Sequence, residues 1–279
     1  MKTGSTAIQD LLMEQRDNLL EKGISYYHIK AKLLLEQLDR ILEAEQKYDN
    51  RIVLLSSEFF AQVDPMLLMP ILDRYKFDHS YAIFVARPLR DLYPSLYLQN
   101  LKGSSMRTTS FRMFMDRQIL LDQSPTLKQG GQIMNFQYLD GRLSGLGFST
   151  HWIMYSRQSL IDDFLNLLGS LSGLSLQSIA RLPSRSPVGV SPRRSLRMEF
   201  SGIVRVINCL TKRSWLTMKQ RESILIQLLG LSHTLSRLMP GKCFLTDDAL
   251  RQCNFVDKKL NHQFLINKGL SVPSLKPSE

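Results

Sequence analysis

The sequence predicts an α/β fold in which parallel strands are joined by crossover helices, and three observations carry that reading. Short apolar runs at Ile52–Ser56 and Tyr81–Ala86 read as buried strands. Segments of helical periodicity precede and follow each of them. The strand–helix alternation then repeats along the first part of the chain, which is the pattern of a parallel sheet rather than of hairpins.

Taken in order, Ile8, Leu11, Leu12, Leu19 and Leu20 recur at helical spacing until Gly23 offers a C-terminal stop. A second amphipathic helix is expected over 29–47, with Ile29, Leu33, Leu34, Leu38, Ile41 and Leu42 on one face. The strand Ile52–Ser56, a helix from Pro65 toward Tyr75, the strand Tyr81–Ala86 and a helix over 88–102 follow. Residues 106–122 read as helical, and 123–150 as irregular with a strand at Ile133–Tyr138. His151–Tyr155 reads as a further strand before a helix over Ser159–Leu168. From Ser170 to Ser195 the chain is rich in serine, proline and arginine, and two readings stand: a solvated linker, or a lid over a ligand. Helices over 196–211, 217–238 and 246–261 are expected to pack on the same domain.

Composition bounds the function. At 279 residues, 43% hydrophobic and 22% charged, the chain can bury a core without metal or disulfide staples. Its three cysteines, Cys209, Cys243 and Cys253, show no metal-like pairing, and their odd number suits a reducing, cytoplasmic setting. No apolar run reaches the roughly 18 residues of a membrane span, and the start lacks a signal-peptide pattern. A net charge of +11 favours anionic partners: nucleic acid, acidic membrane surfaces or anionic glycans. Nucleic acid is disfavoured, because Arg181, Arg185, Arg193, Arg194 and Arg197 have no aromatic residue among them. No two histidines stand at metal-ligand spacing, so no metal is expected. His28, after two tyrosines, either lines an acceptor cleft or serves packing. Asp162 and Asp163 open a helix and complement its dipole.

Two places carry chemistry. Lys2-Thr3-Gly4-Ser5-Thr6 sits at a helix N-terminus, where unpaired amides and the dipole favour an anion, the hydroxyls add donors and Lys2 adds charge. The plainer alternative is an ordinary capped helix. Arg87 stands at the carboxyl end of its strand and Ser95 falls on the second turn of the next helix, so a guanidinium and a hydroxyl are placed to take one small dianion. Glu58, after Ile52–Ser56, is a candidate general base or a cap of the following helix.

The opening Lys-Thr-Gly-Ser-Thr and the Arg87…Ser95 pair together resemble the sulfotransferases that use 3′-phosphoadenosine 5′-phosphosulfate (PAPS). Arg51-Ile-Val-Leu-Leu-Ser-Ser-Glu58, Arg87-Pro-Leu-Arg-Asp-Leu-Tyr-Pro-Ser95 and Tyr155-Ser-Arg-Gln-Ser-Leu-Ile-Asp-Asp163 look similar to bacterial members. The resemblance covers most of residues 1–170. It implies a three-layer αβα fold of the P-loop type with a central parallel sheet and extra C-terminal helices. It also implies a single domain over 1–279: a nucleotide-binding core at 1–170, the loop at 170–195 and helices at 196–279. By the same resemblance, Lys2, Thr3, Gly4, Ser5 and Thr6 would grip the 5′-phosphosulfate, with Lys2 also catalytic. Arg87 and Ser95 would grip the 3′-phosphate, and Glu58 would be the base. The reaction implied moves a sulfuryl group from PAPS, without a metal, to a hydroxyl or amine of a glycan or glycolipid.

Two departures accompany it. Family members run a hydrophobic strand into the lysine loop, and here that strand would precede Met1, so a start further upstream is expected. The glycine-rich basic C-terminal segment of members acting on phenols and steroids is absent. A degenerate relative that binds without catalysis is therefore the second reading. A nucleotide kinase is the third, disfavoured because Gly-x-x-x-x-Gly-Lys-Ser/Thr does not occur.

Overall fold

In the computed structural model the described residues are 5–29, 34–48, 52–57, 60, 63–75, 77–103, 106–125, 133–156, 158–176, 179, 198–238 and 247–270. The chain opens with α1 (Ser5–Glu14), α2 (Arg16–Glu21), β1 (Ile24–His28), α3 (Leu34–Glu45), β2 (Ile52–Ser56) and α4 (Pro65–Arg74). It continues through β3 (Tyr81–Ala86), α5 (Leu89–Lys102), α6 (Phe111–Gln123), α7 (Phe136–Ser144), β4 (Ser149–Met154) and α8 (Leu160–Ser172). A 3₁₀ turn at Met198–Phe200 leads to α9 (Ser201–Lys212), α10 (Met218–Leu238), α11 (Asp247–Asp257), a π-helical turn at Lys258–His262 and α12 (Gln263–Asn267). Two compact units result: Met1–Arg87 with Asp122–Arg185 and Leu260–Glu279, and Pro88–Leu121 with Ser186–Lys259.

The first unit is α/β. β1 pairs in parallel with β2, from Ile24 opposite Ile52 to His28 opposite Ser56. β3 pairs in parallel with β4, from Tyr81 opposite Ser149 to Ala86 opposite Met154. Alternation along each strand sends side chains to opposite faces. Ile24 and Tyr26 of β1, Ile52 and Leu54 of β2, Ile83 and Val85 of β3 and Ile153 of β4 join one core with Ile8 and Leu12 of α1, Leu19 of α2 and Phe164 and Leu168 of α8. On the other face Val53 and Leu55 meet Leu38 and Leu42 of α3 and Leu68 of α4. One helix layer therefore covers both strand pairs. Among the described residues β2 pairs only with β1, and β3 only with β4.

The strands at Ile52–Ser56 and Tyr81–Ala86 stand where the sequence places them. β1 is an element the sequence reading left out. Gly23, at φ 80°, turns the chain sharply after α2, and the β-branched and aromatic run Ile24–His28 then pairs with β2. The strand expected at Ile133–Tyr138 is corrected. Residues 133–135 are irregular and α7 begins at Phe136, with the Asn135 carboxamide accepting from the Tyr138 amide as N-cap at 3.0 Å. Ile133 and Met134 are buried without a ladder because side chains satisfy the backbone instead. Asp122 accepts from the Met134 amide at 2.6 Å, while Asn261 accepts from the Phe136 amide at 3.0 Å and donates to the Met134 carbonyl at 3.2 Å.

β4 is held by a charged clasp on the same side as the Phe84–Trp152 stack. Asp140 of α7 accepts from Thr150 Oγ1 at 2.5 Å and from Trp152 Nε1 at 2.7 Å, and pairs with Lys268 at 3.0 Å. Phe136 and Phe264 close around the Trp152 ring with centroids 5.2 Å away.

The second unit is helical in its described part. Tyr97 and Leu101 of α5 pack with Val204 and Ile207 of α9 and Leu225 and Leu228 of α10. Both ends of α5 are capped by charge of the sign its dipole requires. Asp257 accepts from the Leu89 amide at 3.1 Å, and the buried Arg221 guanidinium donates to the carbonyls of Leu101, Lys102 and Gly103 at 3.2, 3.1 and 3.1 Å. Asn208 accepts from Arg221 Nε at 2.9 Å and donates to the Leu101 and Arg107 carbonyls, so this buried polar knot is internally paired.

Burial pushes the Asp140 carboxyl up, but its bonds to Thr150, Trp152 and Lys268 outweigh that and hold it below its ordinary value. A depressed carboxylate stabilises the fold above the ordinary pKa, about 4, and that contribution disappears as pH falls through the folded-state value. Asp140→Asn should cost about 2–3 kcal/mol in urea melts at pH 7, and the gap to the native chain should close below about pH 4. A gap unchanged between pH 7 and pH 3 would show that the charge contributes nothing.

Candidate functional site

Parallel pairing gathers the chain that leaves each strand at one edge, where α/β folds hold ligands. In the first unit the residues at the carboxyl ends of the two strand pairs form two clusters.

The β1–β2 cluster is a chain of hydrogen bonds. Tyr26 and His28 of β1 lie two residues apart on one face, and Ser56 of β2 lies opposite His28. The Tyr26 hydroxyl meets Ser56 Oγ at 2.7 Å, and His28 Nδ1 meets the same oxygen at 3.0 Å. Tyr26 is buried at 1% exposure while His28 is exposed, so the relay runs from the core to solvent. Burial, opposed in part by the Ser56 hydrogen bond and reinforced by the nearby Asp10 carboxylate, raises the Tyr26 phenol above its ordinary value. Either oxygen can donate in the Tyr26–Ser56 bond. Ser56 has one hydroxyl hydrogen between two partners, so its orientation is coupled to the His28 tautomer. The imidazole is thus held at the strand end with its other ring nitrogen directed away from Ser56.

The β3–β4 cluster pairs a cation with an aromatic ring. Arg87 directly follows β3, and the Tyr155 amide donates to the Ala86 carbonyl at 2.7 Å, extending the ladder by one residue. The Arg87 guanidinium lies over the Tyr155 ring, its central carbon 4.9 Å from the centroid. Stacking of this kind fixes the plane of the guanidinium.

The helix preceding β1 completes the geometry. α1 and α2 lead the chain to Gly23 and the amino end of β1, and Ile8 and Leu12 of α1 share the core that Tyr26 enters. Ser5 and Thr6 form its first turn. Lys2, Thr3 and Gly4 lie outside the described residues, as does Glu58. Arg87 closes one segment of the first unit, whereas Ser95 is a half-buried residue of α5 in the second. The structure thus brings Arg87 to Tyr155, and it places the expected Arg87 and Ser95 in separate units.

Sequence reasoning missed Tyr26, Ser56 and Tyr155 as members of these clusters. The available signal was Ile-Ser-Tyr-Tyr-His directly after Gly23, a β-favouring run that ends in polar groups. Comparisons with protein-family models, with curated proteins and with solved structures each find no match for the chain.

Tyr26 should titrate above the usual tyrosine range in a spectrophotometric titration against Tyr26→Phe. Ser56→Ala, which removes the lowering hydrogen bond, should raise it further, and Asp10→Asn should lower it. Because a raised tyrosine favours the folded state only while protonated, its contribution should fade as pH rises past about 10. A titration unmoved by Ser56→Ala would break the proposed relay.

Proposed function

We propose that this chain is a sulfotransferase that moves a sulfuryl group from PAPS to a hydroxyl or amine of a glycan or glycolipid. The observation that supports it best is the pair of clusters at the strand ends, with stacked Arg87 on β3–β4 and the His28–Ser56–Tyr26 relay on β1–β2. Arg87 is a cation shaped to hold a phosphate, and the Ser56–His28 pair offers hydrogen bonds to an acceptor.

In this reading Lys2, Thr3, Gly4, Ser5 and Thr6 hold the phosphosulfate and Arg87 the 3′-phosphate. The new bond forms between acceptor oxygen or nitrogen and sulfur as the bond from sulfur to the phosphate oxygen breaks. Charge left on the departing phosphate falls to Lys2 and the amides of the loop. Glu58 takes the acceptor proton, and His28 lines the acceptor side.

The fold proposed with it is a three-layer αβα sandwich with a fifth strand. Parallel crossovers are right-handed in nearly every case, so crossovers on opposite faces run in opposite directions. α3 and α4 lie on one face and take the chain from β1 to β2 and on to β3, while α1 and α2 lie on the other face. A strand leading into α1 must therefore lie on the β2 side of β1. Since β2 fills the neighbouring position, the strand falls between β2 and β3. The second reading is a relative that keeps the fold and binds nucleotide or a partner without catalysis.

Calorimetry with 3′-phosphoadenosine 5′-phosphate should give micromolar binding, weaker by about 10- to 100-fold for ADP and for Arg87→Ala or Lys2→Ala. Equal affinity for ADP, or binding unaffected by both substitutions, would reject the donor site. Binding without sulfuryl transfer to any glycan would favour the second reading.

A further inference from the structure

We propose that the hairpin joining α9 to α10 docks on anionic lipid surfaces, with Trp215 inserted among the headgroups. The five-residue turn Arg213–Thr217 is fixed at both ends by its own hydrogen bonds. At the α9 end the Trp215 amide donates to the Leu210 carbonyl at 2.9 Å and the Ser214 amide to Thr211 at 3.0 Å, the Schellman pattern. Ser214 occupies the left-handed position, φ 59°, that this pattern normally gives to glycine. At the α10 end Thr217 and Gln220 form a capping box: the Gln220 amide donates to Thr217 Oγ1 at 3.2 Å and the Thr217 amide to Gln220 Oε1 at 2.8 Å.

This rigid turn presents its largest side chain to water. Trp215 is 70% exposed and Met218, on the first turn of α10, is 44% exposed. Along α9, Ile203 and Val206 are also exposed at three-residue spacing, so an apolar stripe leads toward the tip. Large apolar groups in water carry a cost, and a turn locked at both ends cannot fold them away.

The charges around the tip select the occupant. Lys212, Arg213 and Lys219 are exposed, residues 212–220 contain no Asp or Glu, and the first acid beyond them is Glu222. Arg221 is turned inward as the cap of α5. Tryptophan ringed by lysine and arginine is the composition of the bilayer interface, where the indole sits at headgroup level and cations meet anionic phosphates. An apolar protein surface would leave the three cations unmatched, and nucleic acid would leave Met218, Ile203 and Val206 in water. The contact proposed is a peripheral one, with the indole and its flanking cations at headgroup level.

The fluorescence of the chain isolates this tip. Of its two tryptophans Trp152 is 8% exposed and stacked on Phe84, so a lipid-induced change reports Trp215. The full chain should pellet with vesicles of phosphatidylcholine and phosphatidylglycerol at 3:1, and much less with phosphatidylcholine alone. Its emission should shift to the blue and be quenched by brominated lipid. Trp215→Ala should abolish the shift and weaken partitioning about tenfold. The triple change Lys212→Gln, Arg213→Gln, Lys219→Gln should weaken it about 100-fold, near fivefold for each cation. These positions are all exposed, and unchanged thermal melts would confirm that the variants fold. Equal pelleting with both vesicle types, an unshifted emission, or native binding by Trp215→Ala would overturn the proposal. So would a blue shift produced by a DNA duplex but not by anionic vesicles. The test is independent of the donor site.

Discussion

Parallel pairing of strands that share one layer of helices is the constraint on which the first unit depends. A parallel strand is stable when both faces are covered, because its side chains are apolar on both sides. Here α1, α2 and α8 supply a cover common to both pairs, and α3 and α4 supply the opposite cover for β1 and β2. That arrangement sends every strand's carboxyl end in a defined direction, which is why His28 meets Ser56 and Arg87 meets Tyr155. It also leaves backbone groups of Val53 and Leu55 on β2, and of Ile83 and Val85 on β3, alternating toward the edge away from the paired strand. Such edges attract a further strand.

Buried polar groups do comparable work where ladders are missing. Asp122 and Asn261 satisfy the backbone of Met134 and Phe136, and Asp140 ties α7 to β4 while Lys268 offsets its charge. In the second unit Arg221 and Asn208 take the carbonyls that end α5. Removing one member of such a set leaves its partner buried and unpaired, so these residues set which arrangement the helices adopt as well as how stable it is.

The strands over Ile52–Ser56 and Tyr81–Ala86 were legible because their apolar runs end at clear breaks and their ends needed no tertiary partner to define them. The helices at α4, α5, α8 and α10 were legible for a related reason, since three- and four-residue periodicity survives in the sequence. β1 was hidden because it is short, starts at once after Gly23 and mixes Ser and Tyr with a single Ile, so only its pairing with β2 makes it a strand. The stretch Ile133–Tyr138 misled because burial of Ile133 and Met134 imitates a strand, while the cap at Asn135 decides for helix. Of the site, Arg87 could be read from its place after a strand. Its stack on Tyr155, and the convergence of Tyr26, His28 and Ser56, could not, because register between distant strands is not written locally.

The most direct test of the layered fold is amide hydrogen exchange on the chain as it stands and on a fusion carrying a six-residue apolar strand ahead of Met1. If the strand position lies between β2 and β3, the fusion should slow exchange at Val53, Leu55, Ile83 and Val85 together by about 100-fold or more, relative to a matched fusion with alternating prolines. Protection confined to one of the two strands, or equal in both fusions, would contradict the proposed sheet order.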